Sequence, residues 1–83
     1  MIARLIGTIH PLGLDEVVLD VGGVGYHVNV PIGTQQRVEV DDDGRVMLLI
    51  HTAVREDAIQ LFGFATEQEK AVREEARKWI EGE

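Results

Sequence analysis

Hydrophobic and polar residues alternate along much of the first two thirds of the chain. The clearest case is Tyr26, Val28 and Val30, which alternate with His27 and Asn29. A period of two is typical of a β-strand with one face buried. Comparable patterns predict strands at residues 2–10, 14–21, 26–30, 45–54 and 58–64, with a minor strand at 38–40.

Glycine, proline and aspartate separate these runs. Gly7, inside the first run, predicts a bend or a bulge in that strand. The segment Asp41-Asp42-Asp43-Gly44 predicts a turn, because an Asp-Gly step favours positive φ. It lacks the ligand spacing and the closing Glu of a calcium-binding loop. Residues 32–37 predict a polar connection, whose shape the sequence leaves open.

After Phe64 the period changes from that of a strand to that of a helix. Thr66 followed by Glu69 is a capping-box pattern, which predicts a helix start. One apolar stripe follows at helical spacing, made of Val72, Ala76, Trp79 and Ile80. The sequence therefore predicts a mainly β fold, a small five- or six-stranded OB-like barrel over residues 1–66. One C-terminal amphipathic α-helix, residues 67–83, is expected to pack on the same domain.

Composition and charge narrow the classes of function. The 83 residues suffice for one small domain with one hydrophobic core. The formal net charge is −7, and residues 1–66 carry four basic and nine acidic side chains. Because Lys and Arg supply most non-specific affinity for phosphates, this acidic body predicts poor binding of DNA or RNA. The chain has no cysteine and no apolar run of the roughly 20 residues that span a membrane, so we expect a cytoplasmic protein.

Three adjacent charged residues, Arg55, Glu56 and Asp57, interrupt the last two predicted strands and should form a hairpin tip. The paired carboxylates either repel an anion or are ordinary solvated turn residues, and the local sequence leaves both interpretations open. General acid–base pairs need a cleft that gives the two groups different proton affinities, which an exposed tip lacks. The chain also contains no Ser or Cys nucleophile, so we expect no catalysis.

Other candidate sites have simpler structural interpretations. Gly22, Gly23 and Gly25 superficially match a phosphate-binding loop, but they lead into a strand instead of a helix, so we predict hairpin glycines. His10, His27 and His51 lack metal-ligand spacing, so we predict no metal site and no cofactor. The few aromatic side chains, which include Phe62, Phe64 and Trp79, are expected in the core and not stacked on bases.

Three separated segments resemble one known family. They are residues 1–7 (Met-Ile-Ala-Arg-Leu-Ile-Gly), 21–26 (Val-Gly-Gly-Val-Gly-Tyr) and 54–64, where Val-Arg-Glu-Asp-Ala precedes Leu-Phe-Gly-Phe. Their order and spacing are similar to the N-terminal domain of RuvA, the Holliday-junction-binding subunit of the bacterial branch-migration machinery. The resemblance covers residues 1 to about 69 and is most specific in the last segment.

The resemblance implies an OB-fold barrel that helps to hold a homotetramer together and has no catalytic activity of its own. It implies that Glu56 and Asp57 form an acidic pin at the junction centre, with Arg55 supporting the pin. In the full-length context it implies Holliday-junction DNA and RuvB as partners, in recombination and repair.

The chain departs from the family pattern after residue 69. It stops at 83, without the helix-hairpin-helix modules that bind the DNA backbone and the small domain that contacts RuvB. We therefore expect the 83-residue chain to be monomeric and a weak DNA binder. The alternative is an engineered or isolated OB-fold scaffold without intrinsic DNA-binding activity, suggested by the idealised charge pairs after Glu69. A natural stand-alone OB protein with a protein partner is the third hypothesis.

Overall fold

The computed structural model describes residues 2–72, in which five strands form a closed barrel in the order β1-β2-β3-β5-β4. The strands are β1 (Arg4–Pro11), β2 (Glu16–Val21), β3 (Val24–Asn29), β4 (Val46–Val54) and β5 (Ile59–Phe64). All neighbouring strands are antiparallel except β3 and β5, which are parallel. A five-stranded Greek-key barrel of this kind is the OB architecture, so the predicted fold class is confirmed.

β1 closes the barrel by pairing with two different strands. Its first half pairs with β4, up to Gly7 opposite Val46, and its second half pairs with β2, starting at Thr8 opposite Asp20. A Cβ added to Gly7 would lie 2.2 Å from the carbonyl oxygen of Asp20. Only glycine permits this close approach, and Gly7, where a bend or a bulge was predicted, is the residue at which β1 passes from one partner strand to the other.

Alternate residues of the strands point into the barrel and form the core. Along β4, Val46, Leu48 and Ile50 are buried, whereas Met47 between them is exposed. The buried core cluster consists of Val17, Leu19, Val28, Val30, Val46, Leu48, Ile50 and Leu61. The regular alternation explains why the period of two in the sequence identified the strands.

Two of the connections follow from turn chemistry. Gly22 and Gly23, with φ of 61° and 96°, form the two-residue turn between β2 and β3, and Gly23 N–H donates to Asp20 Oδ1 at 2.8 Å. In the turn before β4, Asp41 Oδ1 accepts from the backbone N–H groups of Asp43 and Arg45. The aspartates of this turn thus hold the backbone in place.

The sequence left the shape of the connection between β3 and β4 open. The connection contains one helical turn, α1 (Thr34–Arg37), which follows Gly33 at φ 94°. The Thr34 side chain is completely buried beneath the turn. The minor strand predicted at 38–40 is reduced to an isolated bridge between Val40 and Val46.

A second helix begins after β5, with residues 67–72 helical in the described part of the chain. Its start has the predicted cap, because the Glu69 N–H donates to Thr66 Oγ1 at 3.2 Å. The Glu69 carboxylate also pairs with the Arg37 guanidinium and so ties this helix to α1. The predicted packing of Ala76, Trp79 and Ile80 lies outside the described residues. No described helix has the length and apolar character needed to cross a membrane.

Candidate functional site at the acidic hairpin tip

The β4–β5 hairpin carries the two acidic residues that the sequence singled out. Six consecutive residue pairs join the strands, from Leu49 opposite Phe64 to Val54 opposite Ile59. Beyond the last pair, the Arg55 N–H donates to the Ala58 carbonyl oxygen at 2.8 Å. Glu56 and Asp57 are therefore the two residues outside the last hydrogen bond of the hairpin.

The geometry of this turn is unusual for such a short hairpin. Two-residue hairpin loops favour turns of type I′ or II′, which need positive φ. Every described residue with positive φ is a glycine, so neither Glu56 nor Asp57 adopts it. Both side chains are exposed, as expected when the chain reverses without room for them to fold back. The turn thus presents two carboxylates at the end of a β arm.

The tip is an uncompensated negative charge within the described part of the protein. None of the ion pairs formed among residues 2–72 includes Arg55, Glu56 or Asp57. The Arg55 side chain is exposed, and its visible contribution to the tip is the backbone hydrogen bond to Ala58. Two exposed carboxylates outside the ion pairs of residues 2–72 repel anions and attract cationic groups.

The other candidate residues lie elsewhere on the barrel. Gly22 and Gly23 are in the β2–β3 turn, and Gly25 lies in β3, where an added Cβ would be 3.0 Å from Val18 Cγ1. His27 Nε2 contacts Glu16 Oε1 at 2.8 Å. Among residues 2–72, no three His, Asp or Glu side chains are grouped in a way that would hold a metal ion.

Two apolar residues beside the tip escaped the sequence analysis. Val54 and Ile59 are the pair next to the turn, and they are 65% and 68% exposed. By alternation they lie on the same sheet face as the core residues Ile50 and Leu61. The core face therefore continues beyond the barrel. Alternation places both on the core face of the sheet, yet their exposure shows that no described residue covers them.

The fold and the tip together define a class of protein, an OB-fold barrel that projects an acidic β-hairpin. The chain belongs to the RuvA N-terminal domain family, whose model matches residues 1–63. It is 51% identical over 71 residues to the Holliday junction branch migration complex subunit RuvA of Pelobacter propionicus, covering 86% of this chain and 35% of that protein.

Two further relatives carry the same name. The RuvA protein of Syntrophotalea carbinolica is 50% identical over 70 residues, which are 84% of this chain and 34% of that protein. The RuvA protein of Trichlorobacter lovleyi is 51% identical over 71 residues, which are 86% of this chain and 34% of that protein. The chain thus spans about a third of the length of these relatives.

Proposed function

We propose that this chain is the barrel module of a Holliday-junction-binding RuvA protein and that its hairpin tip is a pin at the junction centre. The observation that carries this proposal is the pair of exposed carboxylates of Glu56 and Asp57 at the end of the β4–β5 arm, which form no ion pair within residues 2–72. Membership of the RuvA N-terminal domain family supports the choice of a four-way junction as the ligand.

The pin acts by repulsion and depends on symmetry. A homotetramer places four copies of Glu56 and Asp57, about eight carboxylates, around one axis. Each carboxylate–phosphate pair at 4 Å contributes only about 1 kcal/mol of repulsion in water, so one tip has little effect on DNA. Eight charges at one point exclude phosphates from the centre and direct the four duplex arms along separate paths.

The barrel itself is a non-catalytic part of the machinery. Its described surface offers one lysine, Lys70, and four arginines against eleven acidic side chains, so tight DNA binding has to come from other parts of a longer protein. In that protein we propose contacts to junction DNA and to RuvB outside this chain, a cytoplasmic location, and a role in recombination and repair. The isolated 83-residue chain is then a monomer, which light scattering distinguishes from a tetramer.

The test compares junction and duplex binding by full-length protein with a neutralised tip. Glu56→Gln with Asp57→Asn keeps the shape of both side chains and removes their charge. We expect affinity for linear duplex to rise relative to that for a four-way junction, measured by fluorescence anisotropy at fixed salt. The control is Glu39→Gln with Asp42→Asn, which neutralises two exposed acids elsewhere on the barrel. Equal discrimination by the tip variant and the unmodified protein would refute the pin.

A further inference from the structure

The barrel is closed between β3 and β5 by a single residue pair. Asn29 lies opposite Phe62, whereas the other neighbouring strands share four to six pairs. The Asn29 side chain reinforces this contact by donating from Nδ2 to the Leu61 carbonyl oxygen at 3.3 Å. On the N-terminal side of this contact the two strands are not paired with each other, which leaves a seam between Gly25–His27 of β3 and Ile59–Leu61 of β5.

At Ile59, the backbone N–H and C=O groups of β5 point toward this seam. In an antiparallel ladder, pairs that exchange hydrogen bonds alternate with pairs that do not. The bond from Arg55 to Ala58 makes that pair a bonded one, so the next pair, Val54 and Ile59, is not bonded. The N–H and C=O of Ile59 therefore point away from β4. The Leu61 carbonyl, two residues further on, accepts from Asn29 on that same side.

The backbone of β3 points toward the seam from the opposite side. The two-residue turn at Gly22 and Gly23 makes Val21 and Val24 the closing bonded pair of the β2–β3 hairpin. Gly25 and His27 are thus at non-bonded positions relative to β2, and their N–H and C=O groups point to the seam. Within residues 2–72, the pair Asn29 and Phe62 is the one strand pairing between these two edges, so the backbone groups of Gly25, His27 and Ile59 face each other outside the ladder.

The groove between these edges has both apolar and polar walls. Its lining residues are Ile2, Gly25, Tyr26, Ile59 and Leu61, together with Glu16, His27, Asn29 and Gln60. The Glu16 carboxylate, the acidic group of this lining, contacts His27 Nε2 at 2.8 Å. Among residues 2–72, neither lysine nor arginine lines it. Glu56 and Asp57 lie only a few residues from Ile59 along the same arm. A phosphate backbone is repelled from such a groove.

We propose that the β3–β5 seam is a docking site for an extended, basic peptide segment of a protein partner. The peptide adds a strand by hydrogen bonding to the free edge of β5 or β3, as in other cases of β-strand addition. Its alternate apolar side chains contact Ile2, Tyr26 and Ile59, and its Lys or Arg side chains face Glu16 and the tip. This surface differs from the pin in using the backbone edges of β3 and β5, and it shares with the pin the carboxylates of Glu56 and Asp57.

The probe is an acetylated and amidated nonapeptide of alternating Lys and Val carrying a fluorescent label. We expect it to bind the 83-residue chain in fluorescence anisotropy and to shift the amide NMR signals of Gly25, His27 and Ile59. The same peptide with N-methyl groups on alternate backbone nitrogens keeps its charge and side chains but cannot pair along one edge. Its binding should be about tenfold weaker. Equal binding would show that charge attraction alone holds the peptide, and it would overturn the proposal.

Two matched proline variants locate the site. Ile59→Pro removes the seam-facing N–H and no hydrogen bond to β4, so peptide affinity should fall about tenfold. Val54→Pro changes the opposite residue of the same pair, whose N–H points to the other edge, and should leave affinity unchanged. Equal effects of the two variants would contradict the proposal. Dimerisation through Gly25 and Ile59 at rising protein concentration, without peptide, would also contradict it because it assigns the seam to a second copy.

Discussion

The backbone N–H of Arg55 donates to the carbonyl oxygen of Ala58 at 2.8 Å. This bond determines which residues lie at the tip of the β4–β5 arm and which backbone groups of β5 point away from β4. It leaves Glu56 and Asp57 as the only residues beyond the ladder, so both carboxylates face solvent at the tip. It also fixes which residue pairs of the β4–β5 ladder exchange hydrogen bonds, and as a result the N–H and C=O of Ile59 point toward β3. One hydrogen bond thus determines both the acidic tip and the free strand edge beside it.

Gly7→Ala should destabilise the barrel strongly. The new Cβ would lie 2.2 Å from the backbone carbonyl of Asp20, which cannot move without disturbing the β1–β2 pairing. We expect the free energy of unfolding in urea to fall by about 2 kcal/mol or more. Gly13→Ala is the matched control, because its Cβ meets nothing closer than 4.0 Å. A Gly7→Ala protein as stable as the Gly13→Ala protein would contradict the packing described for β1.

Gly22 should accept asparagine but not valine. Its φ of 61° is left-handed, a conformation that asparagine adopts readily and a β-branched residue does not. We expect Gly22→Asn to change the free energy of unfolding by less than about 0.5 kcal/mol, and Gly22→Val to lower it by about 1–2 kcal/mol. Thermal or urea denaturation measures both. Similar losses for the two variants would argue against the two-glycine turn.

Thr66 should stabilise the start of the helix that follows β5. Its hydroxyl accepts from the Glu69 N–H at 3.2 Å, so Thr66→Ala should cost about 1 kcal/mol of unfolding free energy. Thr66→Ser keeps the acceptor and should retain most of the stability. Circular dichroism during urea unfolding provides the measurement. Equal losses in the two variants would assign the effect to the lost methyl group and not to the cap.

The 83-residue chain alone should bind a four-way junction weakly. Few basic side chains are present to neutralise phosphates, and one isolated tip repels DNA. At physiological salt we expect a dissociation constant no tighter than the about 10⁻⁴–10⁻⁶ M range of non-specific binding. Fluorescence anisotropy with a labelled junction measures it. Nanomolar binding would show that the barrel carries the main DNA-binding surface, contrary to the proposal.

Local patterns in the sequence were enough to predict the strands and the acidic tip. Each of these signals involves residues that are close together in the sequence, so the sequence alone predicts them. They are the period of two, the Gly-Gly turn and the charged break at residues 55–57. The turn at Thr34–Arg37 was not predicted, because four polar residues show no helical period, and the contact of Arg37 with Glu69 joins residues that are 32 positions apart. The contact that closes the barrel, between Asn29 and Phe62, was equally invisible because it joins strands distant in sequence.

The sequence also did not predict which side chains on the core face of the sheet are exposed to solvent. Val54 and Ile59 fit the inward alternation of a core, yet both are more than half exposed. Alternation gives the face of the sheet on which a side chain lies, whereas the length of the neighbouring strands decides whether that face is covered. β1 pairs with β4 only as far as Leu49 in regular register, so the end of the arm extends beyond its neighbour.

The most direct test of the pin is to locate the tip on a bound junction. The chain has no cysteine, so Ala58→Cys in a full-length protein without other cysteines carries an iron–EDTA group beside Glu56 and Asp57. Asp42→Cys is the control, because it precedes the nine-residue β4 and lies about 30 Å from the tip. We predict cleavage by the Ala58→Cys protein at the crossover nucleotides of all four strands, and cleavage away from the crossover by the control. Cleavage along the duplex arms by the Ala58→Cys protein, with the crossover intact, would contradict the account.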